Sequence, residues 1–471
     1  MKVRKEIGEK ATRSEPNARY SAVGFGLKLF LVFGLAFASG IFLFRQGFHH
    51  DVKYFLQGRF DELHEGAIKD AVLEVSDQLQ SEVDIYIGND LPSLFLDIPF
   101  ENFQLIQAKR NEAVENGILL SSDDDFVSAT VRYGNSAPIK VKIRLKGDWS
   151  DHLSGNKWSY RIHILDEQAI EGMRRISIQA PETRNYIYEW AYHQTLMQEN
   201  ILTPRYFFIN VILNGENKGI YAMEESFYTD LMESQQRRAG VILKFDETDL
   251  WENWATYFSV GKEDLQMLAQ TSGYFMHADY ASAHVSGFAS GSLQSDPVLL
   301  AQYRTGQSML RAFQTGELSA AEVFDLENLG TYLAVTELWG AGHAFDWQNL
   351  RFYYNPVTSL LEPIGFDGLA MNQYYASLDL ESSLNQCILF QDEAVWPVFY
   401  QAASPIFQPE YLLALQDRLN DPVTGYASAL DKEYKFDTAV DWGLMMERVD
   451  RLHAELELLN RARQKPAVDA Q

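Results

Sequence analysis

Cysteine is nearly missing from this sequence: Cys387 stands alone among 471 residues. One thiol cannot build an intramolecular disulfide framework or a cysteine-based zinc site. Set in "NQCILF", it reads as a small core residue. Positive charge is also scarce. Lys and Arg total 40 against 65 Asp and Glu, a formal net charge of -25. That balance argues against nucleic acid as a partner, because no broad face could neutralise phosphates. No internal repeat, nucleophile elbow or independently supported pair of catalytic carboxylates is present, which counts against a hydrolase or glycan-active enzyme.

What is present is ample core material, with 46% hydrophobic and 13% aromatic residues. Bulk disorder is therefore not expected. Long apolar runs are limited to one, "GFGLKLFLVFGLAFASGIFLF" (Gly24–Phe44), behind a tail carrying Lys2, Arg4, Lys5, Lys10, Arg13 and Arg19. Its length suits a single membrane-spanning helix. The basic flank places the N-terminus in the cytoplasm and the body outside it. Ala36-Phe37-Ala38 offers a signal-peptide cleavage pattern, but Ile41 to Phe44 continue the apolar run past it, which favours a retained anchor. The expected organisation is a basic tail (1–22), an anchor (23–44), a helical stalk (45–90), a small α+β part (91–228) and a mainly helical part (229–471). Within the stalk, an amphipathic helix is read over 51–84 from apolar residues at helical spacing.

Period-two alternation marks two half-buried strands, "IKVKIRLKG" (Ile139–Gly147) and "KWSYRIHIL" (Lys157–Leu165), each with an exposed basic face. "LFLDIPF" reads as a strand and "ENFQLIQAKRNEAVENG" as a helix stopped by Gly117. A further helix is expected over 185–200. "RYFFINVIL" and "IYAMEE" flank the turn signal Asn214-Gly215 and read as a hairpin. Asp325 is placed to cap a helix that ends before "GHAFDWQNLRFYYNPVTSLLEPIGFDG" (Gly342–Gly368). In that stretch a tight hairpin returns Asp367 toward Asp346 and Asn349. Two acids and an amide brought together offer oxygen ligands for a hard cation, and the basic strands offer groups for a triphosphate.

The order of parts resembles protein kinases, and the motifs resemble the spore-coat CotH-type atypical kinase family. Arg144, Lys146 and Gly147 match R-x-K-G. Lys157, Trp158, Ser159, Tyr160, Arg161 and Ile162 match K-[KW]-S-[YF]-R-[IL]. Leu213, Asn214, Gly215, Gly219, Tyr221, Glu224 and Glu225 match L-N-G-x-x-x-G-x-Y-x-x-E-E. Asp346, Asn349 and Tyr353 match D-x-x-N-x-x-x-Y. The resemblance covers roughly residues 94–372. It departs at "GFDGL", where the family shows P-W-D-x-D: Asp367 aligns with the first aspartate and Leu369 replaces the second.

The resemblance implies a protein-kinase-like two-lobed α+β fold, a small antiparallel sheet lobe plus a mainly helical lobe, behind the transmembrane helix. It implies ATP and Mg²⁺ as cofactors and a protein Ser/Thr or another hydroxyl as acceptor. Asp346 would act as the base or the orienting residue, with Asn349 and Asp367 as Mg²⁺ ligands. Arg144, Lys146, Lys157 and Arg161 would contact phosphate, Glu189 would pair with the lysine, and the Glu224–Glu225 backbone would meet adenine at a hinge. His343 is read as a structural histidine. The alternative is an inactive kinase-like envelope scaffold that binds nucleotide or polyanion.

Overall fold

The computed structural model describes residues 89–259, 279–288, 293, 295–377 and 379–464. Eleven strands lie among them: β1 (Ser93–Asp97), β2 (Val127–Tyr133), β3 (Ile139–Leu145), β4 (Tyr160–Ile164), β5 (Arg175–Gln179), β6 (Tyr206–Leu213), β7 (Glu216–Glu225), β8 (Val241–Phe245), β9 (Val285–Gly287), β10 (Arg351–Asn355) and β11 (Leu360–Ile364). The first seven close into a barrel in the order β1-β2-β3-β4-β5-β7-β6. Its neighbours are antiparallel except at the seam, where β1 lies parallel to β6 with Leu94 opposite Val211 and Leu96 opposite Leu213. Alternate residues point inward, so Leu94, Leu96, Val131, Val141, Ile143, Ile162 and Val211 fill the interior as one buried cluster.

This corrects the expected kinase-like lobe. An open antiparallel sheet would leave two unpaired edges; the barrel leaves none. Closure depends on β2 and β5, neither of which is among the strands expected from the sequence. The span read at 23–44 and the amphipathic helix read at 51–84 lie outside the described residues. Among the described residues no helix is long and apolar enough to cross a membrane. The expected single-pass anchor, with the body outside the cytoplasm, is thus not supported by any described helix.

A second sheet, β11-β10-β8-β9, carries the expected hairpin, with Arg351 opposite Ile364. Helix Phe100–Asn116 stops at Gly117, whose φ of 74° is left-handed. Asp325 accepts the amide of Asn328 and caps helix Leu326–Leu338. The buried face of that helix includes Leu329, Leu333 and Leu338. The last helices are Val395–Ile406, Pro409–Tyr434 and Trp442–Gln464. Cys387 is fully buried, and burial pushes its thiol up to about 12, which leaves it inert.

Candidate functional site

β3 runs into "KGD", and the glycine there is required by space. Gly147 has φ 96°, and a Cβ on it would lie 2.2 Å from the ring of His152. His152 is buried and its Nδ1 sits 2.9 Å from Ser159 Oγ. The glycine thus lets the chain turn over a packed histidine while Lys146 points into the protein. Lys146 is buried, forms an ion pair with Glu224 of β7 and donates to Gln179 Oε1 at 2.8 Å.

That pairing differs from the expected one. Glu189, on helix Ile187–Gln198, does not meet the lysine. Its Oε1 accepts the amide of Gly368 at 2.9 Å, its Oε2 that of Ala370 at 3.4 Å, and its Oε1 lies 3.3 Å from His193 Nε2. Glu189 therefore fixes the loop that carries Asp367. Glu224 and Glu225 do not form a hinge. They end β7, between β5 and β6, with Ser177 and Tyr206 both opposite Glu224. Consecutive strand residues face opposite ways. Glu224 reaches Lys146, while Glu225 holds Arg205 at 2.6 Å.

The basic residues separate into two places. Arg144 and Arg161 are direct cross-strand partners. Arg144 donates to Ser121 Oγ and to the Leu145 carbonyl at 3.1 Å, and its guanidinium lies 5.1 Å from the Phe126 ring. Burial first, then the neighbouring charge of Arg161, pushes it down to about 10. Lys157 is engaged elsewhere: it pairs with Glu433 and donates to the Ile220 carbonyl at 3.2 Å. The exposed basic face read from the alternation holds for Lys140 and Lys142, but Arg144 and Lys146 are buried.

The hairpin does return Asp367 toward Asp346 and Asn349, but His343 stands between the acids. Its Nδ1 lies 3.1 Å from Asp367 Oδ1, and its Nε2 lies 3.8 Å from Asp346 Oδ2. Asn349 Nδ2 donates to the His343 carbonyl at 2.9 Å. The other oxygen of Asp367 accepts from Arg184 Nη2 at 2.8 Å. Arg184 belongs to a short 3-10 turn, Pro181–Arg184, and sequence patterning gave no sign of it.

Burial alone would raise the Asp367 carboxyl. Arg184 and His343 outweigh that and hold it well below the usual carboxylate range. His343 answers in kind: burial lowers it, but Asp367 raises it above its ordinary value. Asp346 keeps 42% of its side chain exposed. Its carboxyl is raised, by what burial it has and by the charge of Asp367, against the pull of His343. Asp367, Leu369 and Met371 all have positive φ (51°, 45° and 56°), so this loop holds strain that the Glu189 contacts retain.

A magnesium ion needs several oxygens converging on one point. Both oxygens of Asp367 are taken by nitrogen groups, and the His343 ring separates it from Asp346. Among the described residues no group of three or more His, Cys, Asp and Glu side chains could hold a metal ion. As folded, the expected ligand set does not fit the metal.

Phosphate-compatible groups are nonetheless close by. Lys146, Arg161, His163, Arg175, Ser177, Glu224, Glu225 and Ser226 are among the residues lining a cleft of about 60 Å³, against the outer face of the β4-β5-β7 wall, since their neighbours Ile162, Ile176 and Met223 point into the barrel. Next to it the Arg351 guanidinium lies 5.7, 5.6 and 5.5 Å from the rings of Phe227, Phe288 and Phe366.

The family model described as CotH kinase protein matches residues 143–368, a stretch that holds every residue discussed here from Arg144 to Asp367. No curated protein matches the chain.

Proposed function

We propose, from the premise that residues 143–368 form a kinase-like unit of the CotH kind, that this protein transfers a phosphoryl group from ATP to the hydroxyl of a protein Ser/Thr or another acceptor. The observation that carries the reading is the position of Asp346. It is a half-exposed carboxylate with a raised pKa, held 3.8 Å from the same histidine that anchors the buried Asp367–Arg184 pair. A group poised in this way suits a proton acceptor. The acceptor oxygen attacks the γ-phosphorus, a new O–P bond forms, and the bond from that phosphorus to the β,γ-bridging oxygen breaks. ADP leaves, and the hydroxyl proton goes to Asp346. Lys146 and Arg161 face the donor's phosphates.

A second reading is a nucleotide- or polyanion-binding scaffold without turnover. It is favoured by Leu369, which stands in the strained loop where the resemblance expects a second aspartate.

The experiment is incorporation of label from radiolabelled ATP by the full chain, into itself and into dephosphorylated casein, with and without Mg²⁺. Asp346→Asn should lose about 10²–10⁴ of the rate, the usual worth of a positioned base, while still binding ATP. Equal labelling by wild type and Asp346→Asn would remove Asp346 from this role. ATP binding without label in the wild type would favour the scaffold.

A further inference from the structure

A polyphosphate bound in this cleft must have its charge compensated, and the carboxylates do not form a metal site to do it. Side-chain cations are already there. Of the charged groups lining the cleft, Lys146 is paired with Glu224, and Glu225 with Arg205. Arg161 and Arg175 form no ion pair with any described residue, although both line the same space. Arg175 is held with its guanidinium 4.2 Å from the Tyr228 ring.

Two further donors point to a missing acceptor. Arg161 Nε and Ser226 Oγ are buried with no hydrogen-bond partner. An orphaned buried donor costs about 1–3 kcal/mol, a cost that a ligand with acceptor oxygens would relieve. Three cations and two carboxylates line the cleft, and Asp148 and Glu247 also act on Arg161. His163, on the same wall, is pushed down to about 3, by burial first and then by Arg175, Arg161, Arg144 and Lys142. At about 60 Å³ the cleft is far smaller than the roughly 300–1,000 Å³ that encloses a whole small molecule. Its size suits one phosphoryl group, with the rest of the ligand outside.

We infer that Arg161, Arg175 and Lys146 seat a phosphoryl group by guanidinium and ammonium contacts alone, so that ATP or inorganic tripolyphosphate binds this protein without a divalent cation. The inference rests on the phosphoryl-transfer reading but departs from the metal dependence expected with it. Planar guanidinium groups grip phosphate oxygens in pairs, which is what makes such a seat workable without a metal.

The test is calorimetric titration of the full chain with ATP, and separately with tripolyphosphate, in Mg²⁺ and in excess EDTA. Affinity in EDTA should stay within about threefold of the Mg²⁺ value, and Arg161→Met should weaken binding at least about tenfold in both buffers. Arg175→Lys, which keeps the charge and loses the fork, should also weaken it and serves if Arg161→Met fails to fold. Binding that requires Mg²⁺ would overturn the inference while leaving the phosphoryl-transfer reading intact. No binding in either buffer would remove both. Unchanged affinity in both arginine variants would overturn the seat.

Discussion

Replacing Arg184 with Met tests whether the buried pair at the centre of the site is what holds the Asp367 loop. The substitution keeps the stem's volume and removes the guanidinium bonded to Asp367, whose residue is 7% exposed. Removing one partner of a buried ion pair leaves an uncompensated charge and costs about 3–5 kcal/mol. The unit that contains both residues has roughly 400 residues. At about 2.1 cal/mol/K per residue its unfolding entropy is about 0.8 kcal/mol/K, so Arg184→Met should lower Tm by about 4–6 °C.

The pH dependence gives a second reading of the same cause. In the wild type the Asp367 pKa is depressed, so its contribution is present above the unfolded carboxylate value of about 3.9 and is lost only as pH falls through the lower folded value. Without Arg184, His343 is the main group left to oppose burial, and the carboxyl titrates higher than in the wild type. The variant then sheds its buried charge in mild acid, and the gap to the wild type should narrow as pH drops from about 7 to about 5. Adding Asp367→Asn removes the stranded charge, so the double variant should be more stable than Arg184→Met alone at neutral pH. Differential scanning fluorimetry between these pH values suffices. A loss below about 1 °C for Arg184→Met, or a gap that does not change with pH, would refute the argument.

Two more outcomes follow from single positions. Gly147→Ala places a Cβ 2.2 Å from His152 at a φ of 96°; strain there costs about 1–3 kcal/mol, so thermal denaturation should show a loss of that order, with weakened ATP affinity because Lys146 is the preceding residue. Asp148 is raised to about 6, by burial first and then by Glu247, so its penalty is absent below the unfolded pKa of about 3.9 and grows as pH rises toward 6. Asp148→Asn should therefore raise Tm above about pH 6 and leave it unchanged near pH 4; a shift of the same size at both values would rule out this origin.

The parts of the fold that the sequence disclosed were those written in local periodicity. β3 and β4 alternate cleanly, and Asn214-Gly215 marks the β6–β7 turn. The β10–β11 hairpin follows from two apolar runs around "NPVTS". β5 was not legible because its five residues, "RISIQ", are buried on both faces after the first, which erases alternation. β2 was legible but is not among the expected strands: in "VSATVRY" Val127, Ala129, Val131 and Tyr133 alternate with Ser128, Thr130 and Arg132, the same period-two signal that marks β3. The parallel seam of β1 on β6 joins residues more than 100 apart and has no local signal. Among site residues, the opposite facing of Glu224 and Glu225 was available from the strand reading itself. Arg184 was not, since it lies in a 3-10 turn and meets its partner across 183 positions.

The exchange of glutamates changes what the helix beside the site can control. In kinases the lysine's carboxylate sits on a helix, so the position of that helix governs whether the pair forms. Here Glu224 belongs to β7, whose neighbours on both sides are barrel strands, and Lys146 follows directly on β3. The lysine pair is therefore fixed by the barrel's own hydrogen-bond ladder. Helix Ile187–Gln198 reaches the site through Glu189, whose carboxylate holds the amides of Gly368 and Ala370 on either side of Leu369. Asp367 precedes those amides in a loop whose alternate residues, Asp367, Leu369 and Met371, are left-handed and would not persist unsupported. The position of the helix is thus coupled to the Asp367 loop rather than to the lysine, so the half of the site built on the hairpin depends on tertiary support that the barrel half does not need.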